Sequence, residues 1–141
     1  GDKFSSRIYY HNMASGIEGE KNEQLFSVFA GFRPSNVFRI GGEFNYMQNL
    51  HNISQTDSYG GSVYAAWEFV ENTEIFVRYD KLFYDEEQLT SPFINGNALM
   101  GGIVYSPLKQ INISLNYKGW LQDDNNNGLM NQILFSTGFK F

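Results

Sequence analysis

Arg39, Glu43, Glu68, Arg78, Asp80 and Lys118 are the residues of this chain whose types and spacing suit chemistry. They recur at even offsets inside stretches that are apolar at every second position. In an extended chain, each therefore stands on the face opposite the apolar one. Two kinds of chemistry fit such a set. One is a path for ions or solutes through a wet interior; the other is a group of mutually neutralising pairs that holds a filled interior in shape. Buried charges persist only when paired and hydrogen-bonded. The expectation is one cluster of Arg39, Glu68 and Arg78, with Glu43 and Asp80 above it.

Other constellations are weaker. His11, Ser15 and Glu18 supply the residue types of a hydrolase, but nothing in the sequence orients a base against a nucleophile. Gly41-Gly42-Glu43-Phe44 resembles a truncated cyclic-dinucleotide-synthase signature, yet it falls mid-strand and lacks one acidic residue. Asp123-Asp124-Asn125-Asn126-Asn127-Gly128 matches the first half of a calcium loop, but the position of its bidentate glutamate is Leu134. His51 reads as a solvated loop residue. The acidic residues Glu18, Glu20, Glu23, Asp85, Glu86, Glu87, Asp123 and Asp124 read as solubilising loop charges, or as divalent-cation contacts beside lipopolysaccharide. No catalytic, metal or cofactor site is assigned, and the chain is expected to be non-enzymatic.

The elements that must position these residues are strands. The chain has 141 residues, enough for a single domain over 1–141. It has no cysteine, which excludes disulfides and thiolate sites. A net charge of −5 argues against a nucleic-acid partner. Aromatic residues reach 17 % while mean hydropathy is −0.37, so the apolar residues are thinly spread. No apolar run is long enough for a transmembrane helix. The N-terminus lacks a signal-peptide pattern, so either one has been removed or the sequence is cut from a longer chain.

Period-two alternation marks segments at 3–13, 23–33, 37–47, 58–70, 74–84, 97–106, 111–121 and 130–141. Three connections are short: 34–36, 71–73 and 107–110. Four are longer and polar: 14–22, 48–57, 85–96 and 122–129. Strict alternation of long and short connections is the habit of an up-and-down transmembrane barrel. The fold class expected is all-β, an eight-stranded antiparallel up-and-down transmembrane β-barrel.

The apolar face sorts its aromatics by height. Phe4, Phe32, Phe38, Phe69, Tyr105, Phe139 and Phe141 lie near the short turns, and Tyr10, Tyr46, Tyr59, Tyr79 and Tyr117 lie towards the long loops. Ile8, Val28, Ile40, Val63, Val77, Ile103, Leu115 and Ile133 fill the space between. Phe38 and Tyr46 are about 26 Å apart at roughly 3.3 Å per residue. With strand tilt, the apolar band is on the order of 20 Å deep. A soluble lipocalin-type barrel would instead turn this face inward and carry mostly charges on the other. The opposite face receives Arg7, Tyr9, His11, Phe29, Tyr64, Phe76 and Trp120 beside the charges above, and Lys140 near the end. In an eight-stranded barrel these aromatics are expected to fill the lumen.

The terminus Phe135-Ser136-Thr137-Gly138-Phe139-Lys140-Phe141 resembles the last strand of bacterial outer-membrane barrels. That resemblance implies the bacterial outer membrane, with lipid, lipopolysaccharide and the barrel-assembly machinery as partners. In strand count the chain resembles the small OmpA/OmpX-type barrels, which implies a structural, adhesive or narrow-channel role. Val77-Arg78-Tyr79-Asp80, Gly102-Ile103-Val104-Tyr105-Ser106-Pro107 and Ile113-Ser114-Leu115-Asn116-Tyr117 are similar to late segments of phosphate-selective-porin-like proteins. This second resemblance implies the alternative: a pore for small solutes or ions, of which the chain is the C-terminal half. The lysine-rich anion pathway of those porins has no counterpart here, so phosphate selectivity does not carry over.

Overall fold

Each alternating segment becomes one strand, because side chains of period two can segregate by face only in an extended chain. The computed structural model describes residues 3–17, 19–54, 56–84, 95–123 and 130–139. The strands are β1 (Phe4–Met13), β2 (Glu23–Phe32), β3 (Phe38–Gln48), β4 (Ser58–Val70), β5 (Thr73–Tyr84), β6 (Gly96–Leu108), β7 (Ile111–Gln122) and β8 (Met130–Phe139). They form one antiparallel sheet in the order β1-β2-β3-β4-β5-β6-β7-β8.

The tight turns differ in detail from the expected ones. Thr73 belongs to β5, leaving Glu71 and Asn72 as the β4–β5 turn. Asn72 takes the left-handed conformation (φ 62°), which asparagine tolerates better than most residues. The Glu68 carboxylate accepts its backbone N–H at 3.1 Å. Pro107 and Leu108 extend β6, where the register slips between Tyr105 and Leu108. Proline lacks the ladder donor, and such an irregularity is where a strand tolerates it.

The β3–β4 connection is a folded corner rather than an open loop. A short 3-10 turn, Leu50–Asn52, is flanked by Asn49 and includes Asn52, both at positive φ (52° and 64°). The Asn52 amide donates to the carbonyls of Met13 (3.3 Å) and Lys21 (3.0 Å), and the Asn49 amide donates to that of Asn22 (3.0 Å). Thr56 is fully buried beneath the turn, its hydroxyl donating to the Leu50 and Ile53 carbonyls. This corner therefore clips the β1–β2 end of the sheet.

Closure was the expectation from sequence. Among the described residues every ladder joins consecutive strands, and none joins β1 to β8. All ten residues of β1 and all ten of β8 are exposed. Among the described residues β1 pairs only with β2, and β8 only with β7.

Candidate functional site

The register assigns every strand residue to one of two faces. Row by row, Ile8 stands opposite Val28, Val28 opposite Phe44, Ala65 opposite Val77, and Ile103 opposite Leu115. On this apolar face Ile40, Phe44, Val63, Trp67, Val77, Ile103 and Leu115 are exposed. The other face is polar and the more shielded of the two. Ser27, Ser58, Ala66 and Ala98 are buried on it, and these two alanines are the buried apolar side chains among the described residues. A conventional core is therefore missing from the described sheet, and its apolar mass lies on an open surface.

The aromatics expected at the borders of the apolar band, Tyr10, Phe32, Phe38, Tyr46, Tyr59, Phe69, Tyr79, Tyr105, Tyr117 and Phe139, all lie on the apolar face by register or alternation. Phe141 and Lys140 lie outside the described residues. At the short-turn border Phe4 stacks on Phe32 at 4.6 Å. At the long-loop border a repeated feature appears that sequence reading missed. The hydroxyls of Tyr10, Tyr46, Tyr79 and Tyr117 donate to Gln24, Asp57, Asn97 and Asn131 respectively. In each case the acceptor lies two residues loopward of the tyrosine's cross-strand partner (Phe26, Tyr59, Leu99 and Ile133). Every second strand thus carries the same diagonal clip, with its ring in the apolar band and its hydroxyl on a polar rim.

The clips do not follow the hydrogen-bond rows. Tyr10 and Tyr46 share a row through Phe26. The row of Tyr79 reaches β3 at Gly42, four positions below Tyr46. The row of Tyr117 reaches β5 at Val77, two positions below Tyr79. From β1 to β7 the line of clips therefore drops six residues in six strand-to-strand steps. One residue of roughly 3.3 Å per strand spacing of about 4.8 Å makes an angle near 35°. If the clips mark a level plane, the strands tilt from its normal by about that angle, the lower end of the barrel range.

The polar face gathers all six charges singled out from sequence, but pairs them differently. Arg39 reaches Glu74, donating at 2.7 Å, rather than Glu68. The cause is Ala66, which stands opposite Arg39 and is 3 % exposed. Its small side chain lets the guanidinium cross β4 to β5. Glu68 instead serves the β4–β5 turn. Arg78 pairs with Asp80 on its own strand at 2.7 Å, and Glu43 with Arg7 at 3.4 Å. Lys118 has no salt bridge among the described residues. The expected single cluster is three separate pairs. Glu74 was legible in principle, because it alternates in step with Phe76, Arg78 and Asp80.

These pairs are not dry. The Arg39 and Glu74 side chains are 42 % and 22 % exposed, which calls for the modest energy of a screened pair rather than that of a buried one. Glu74→Ala is expected to lower stability by less than about 1 kcal/mol. Chemical unfolding in detergent checks this; a loss of 3 kcal/mol or more would mean a buried pair.

The four aromatics expected to fill an interior lie on the polar face, each close over a glycine of the sheet. A Cβ placed on Gly41 would meet the Tyr64 ring at 2.6 Å, and one on Gly31 would meet the Phe29 ring at 3.0 Å. Phe76 lies over Gly102 and Trp120 over Gly96 in the same way. Glycine, having no Cβ, leaves the space in which each ring approaches the backbone.

No protein-family model, curated protein or solved structure matches the chain.

The weaker constellations remain scattered. His11 packs its ring near Tyr9 (6.3 Å), and the Ser15 hydroxyl accepts the Ile17 N–H at 3.0 Å in a local turn. Glu18, Asp85, Glu86, Glu87 and residues 124–129, which carry most of the calcium-like loop, lie outside the described residues. Among the described residues no three metal-ligating side chains come together.

Proposed function

We propose that this chain forms wall of an outer-membrane β-barrel pore, with its apolar face on lipid and its polar face lining a water-filled passage for small solutes. The observation that carries this reading is the inverted sheet: exposed large apolar side chains between two aromatic borders, and paired charges with small residues on the shielded face. Water makes such an apolar face unfavourable at roughly 25 cal/mol per Å²; hydrocarbon removes that penalty. Tyrosines with wet hydroxyls and apolar rings belong at the border between the two media.

A passage is favoured over a filled barrel for two reasons. The Phe29, Tyr64, Phe76 and Trp120 rings pack close over glycines of the sheet, and the ion pairs are partly hydrated. In this role the chain performs no catalysis. Its surroundings are outer-membrane lipid and lipopolysaccharide, with the barrel-assembly machinery acting during insertion.

Reconstitution in a planar bilayer tests the reading. Stable, stepwise open-channel currents are expected. Absence of current from protein shown to be inserted would favour the closed, filled eight-stranded barrel instead.

A further inference from the structure

On the polar face charge is matched by opposite charge strand after strand, and Lys118 is the exception. Arg7 is paired with Glu43, Arg39 with Glu74 and Arg78 with Asp80. At the short-turn end Arg33, Arg39, Glu68 and Glu74 line one crevice, two charges of each sign. Glu23, at the long-loop end of β2, also has a partner. Lys118 makes no hydrogen bond or salt bridge among the described residues. The register explains this. Its neighbours across the ladders are Met100 on β6 and Gln132 on β8, and Asn116 and Trp120 share its face along β7. The nearest acid by register, Asp80, lies two strands away, at about 10 Å, and is held by Arg78. Lys118 is exposed, beside a recess of about 240 Å³ that it lines with Trp120, Met130 and Gln132. Hydrated ions have room there.

Resting on the pore reading above, we propose that Lys118 sets the ion preference of the passage, drawing small anions to the wall and favouring them over cations. A guanidinium and carboxylate in contact cancel each other's field a short distance away. A lone ammonium does not, and a low-dielectric wall behind it directs its field into the water. At contact distance in water, one unit charge alters the local concentration of an ion roughly fivefold. Salt at about 0.1 M screens the effect beyond about 10 Å. The preference is therefore modest, about two- to threefold for chloride over potassium. It runs against the chain's net charge of −5, so overall acidity would give the opposite sign.

The test measures reversal potentials under a potassium chloride gradient in bilayers of uncharged lipid. Lys118→Gln should abolish the chloride preference, and Lys118→Arg should keep it. Lys109→Gln removes the same charge from the β6–β7 turn and should leave the preference unchanged. A second readout needs no conduction. Trp67→Phe leaves Trp120 as the only tryptophan, two residues from Lys118. Its quenching by iodide relative to caesium, referred to free N-acetyltryptophanamide, reports the local potential. Lys118→Gln in that background should lower the ratio about two- to threefold, and Lys109→Gln should not. Conductance with a preference that ignores Lys118, or a preference for potassium in the unmodified protein, overturns the proposal and keeps the pore. A quenching ratio that depends on Lys118 in a protein that never conducts leaves the anion-drawing group standing and overturns the pore. Quenching by neither ion means that no ions reach this face, and overturns both.

Discussion

Replacing Val63 by arginine is expected to lower the free energy of unfolding from a bilayer by about 2–4 kcal/mol. Val63 sits in the middle of the apolar face and is 60 % exposed. In water an exposed valine tolerates arginine almost without effect, usually within about 0.5 kcal/mol. In lipid the same guanidinium loses its hydration in the hydrocarbon layer. The matched control is its neighbour Ser62, which points to the polar face opposite Asp80. Ser62→Arg is expected to change stability by less than about 1 kcal/mol, since a hydrated charge beside a carboxylate is only a screened pair. Denaturant titration of both variants in vesicles reads the difference. Equal effects at the two positions would mean that the faces see the same medium.

The second large effect concerns the glycine under Tyr64. Gly41→Ala places a methyl 2.6 Å from the ring and 2.9 Å from the Ala30 carbonyl oxygen. The carbonyl belongs to the neighbouring strand and cannot move alone, so the ring must lift and the ladder must shift. Overpacking of this kind costs roughly 1–3 kcal/mol, offset by about 0.4–1 kcal/mol of reduced unfolded-chain entropy. A net loss on the order of 1–2 kcal/mol is expected, together with smaller open-channel steps as the ring swings off the wall. Gly61→Ala serves as the control. Its nearest neighbour, the Glu43 carbonyl oxygen, is 3.6 Å away, an ordinary contact. It should be neutral or slightly stabilising. A Gly41→Ala variant with unchanged stability and unchanged current would show that Tyr64 does not pack against Gly41.

Strand positions and faces were largely legible in the sequence, because period-two alternation is a local property repeated eight times. Phe38, Ile40, Phe44 and Tyr46 declare one face of β3 without help from any other strand. Pairing across strands was not legible, because it depends on register and on the size of intervening residues. Arg39 reaches Glu74 rather than Glu68 because Ala66 lies between them and is small, a fact visible only once β3, β4 and β5 are aligned. The tyrosine clips escaped for the same reason. Tyr79 and Asn97, or Tyr117 and Asn131, are unremarkable in sequence and become a repeated motif only in register. Alternation gives the face of Phe29 or Tyr64 but not how close its ring comes to the backbone. That approach is allowed by the space above Gly31 and Gly41. The β3–β4 connection looked like a polar loop because its order comes from Asn49, Asn52 and Thr56 bonding to backbone carbonyls, with no apolar periodicity to announce it.

The chain contains two tryptophans, one on each face: Trp67 on the apolar face and Trp120 on the polar one. Trp120→Phe leaves Trp67 as the sole reporter, and Trp67→Phe leaves Trp120. In vesicles with brominated acyl chains, Trp67 fluorescence should be strongly quenched by the lipid and protected from aqueous iodide. Trp120 should behave in the opposite way, open to iodide and indifferent to bromine. Quenching of Trp120 by lipid, or of both tryptophans by iodide alone, would contradict a sheet that turns its apolar face to the membrane and its polar face to water.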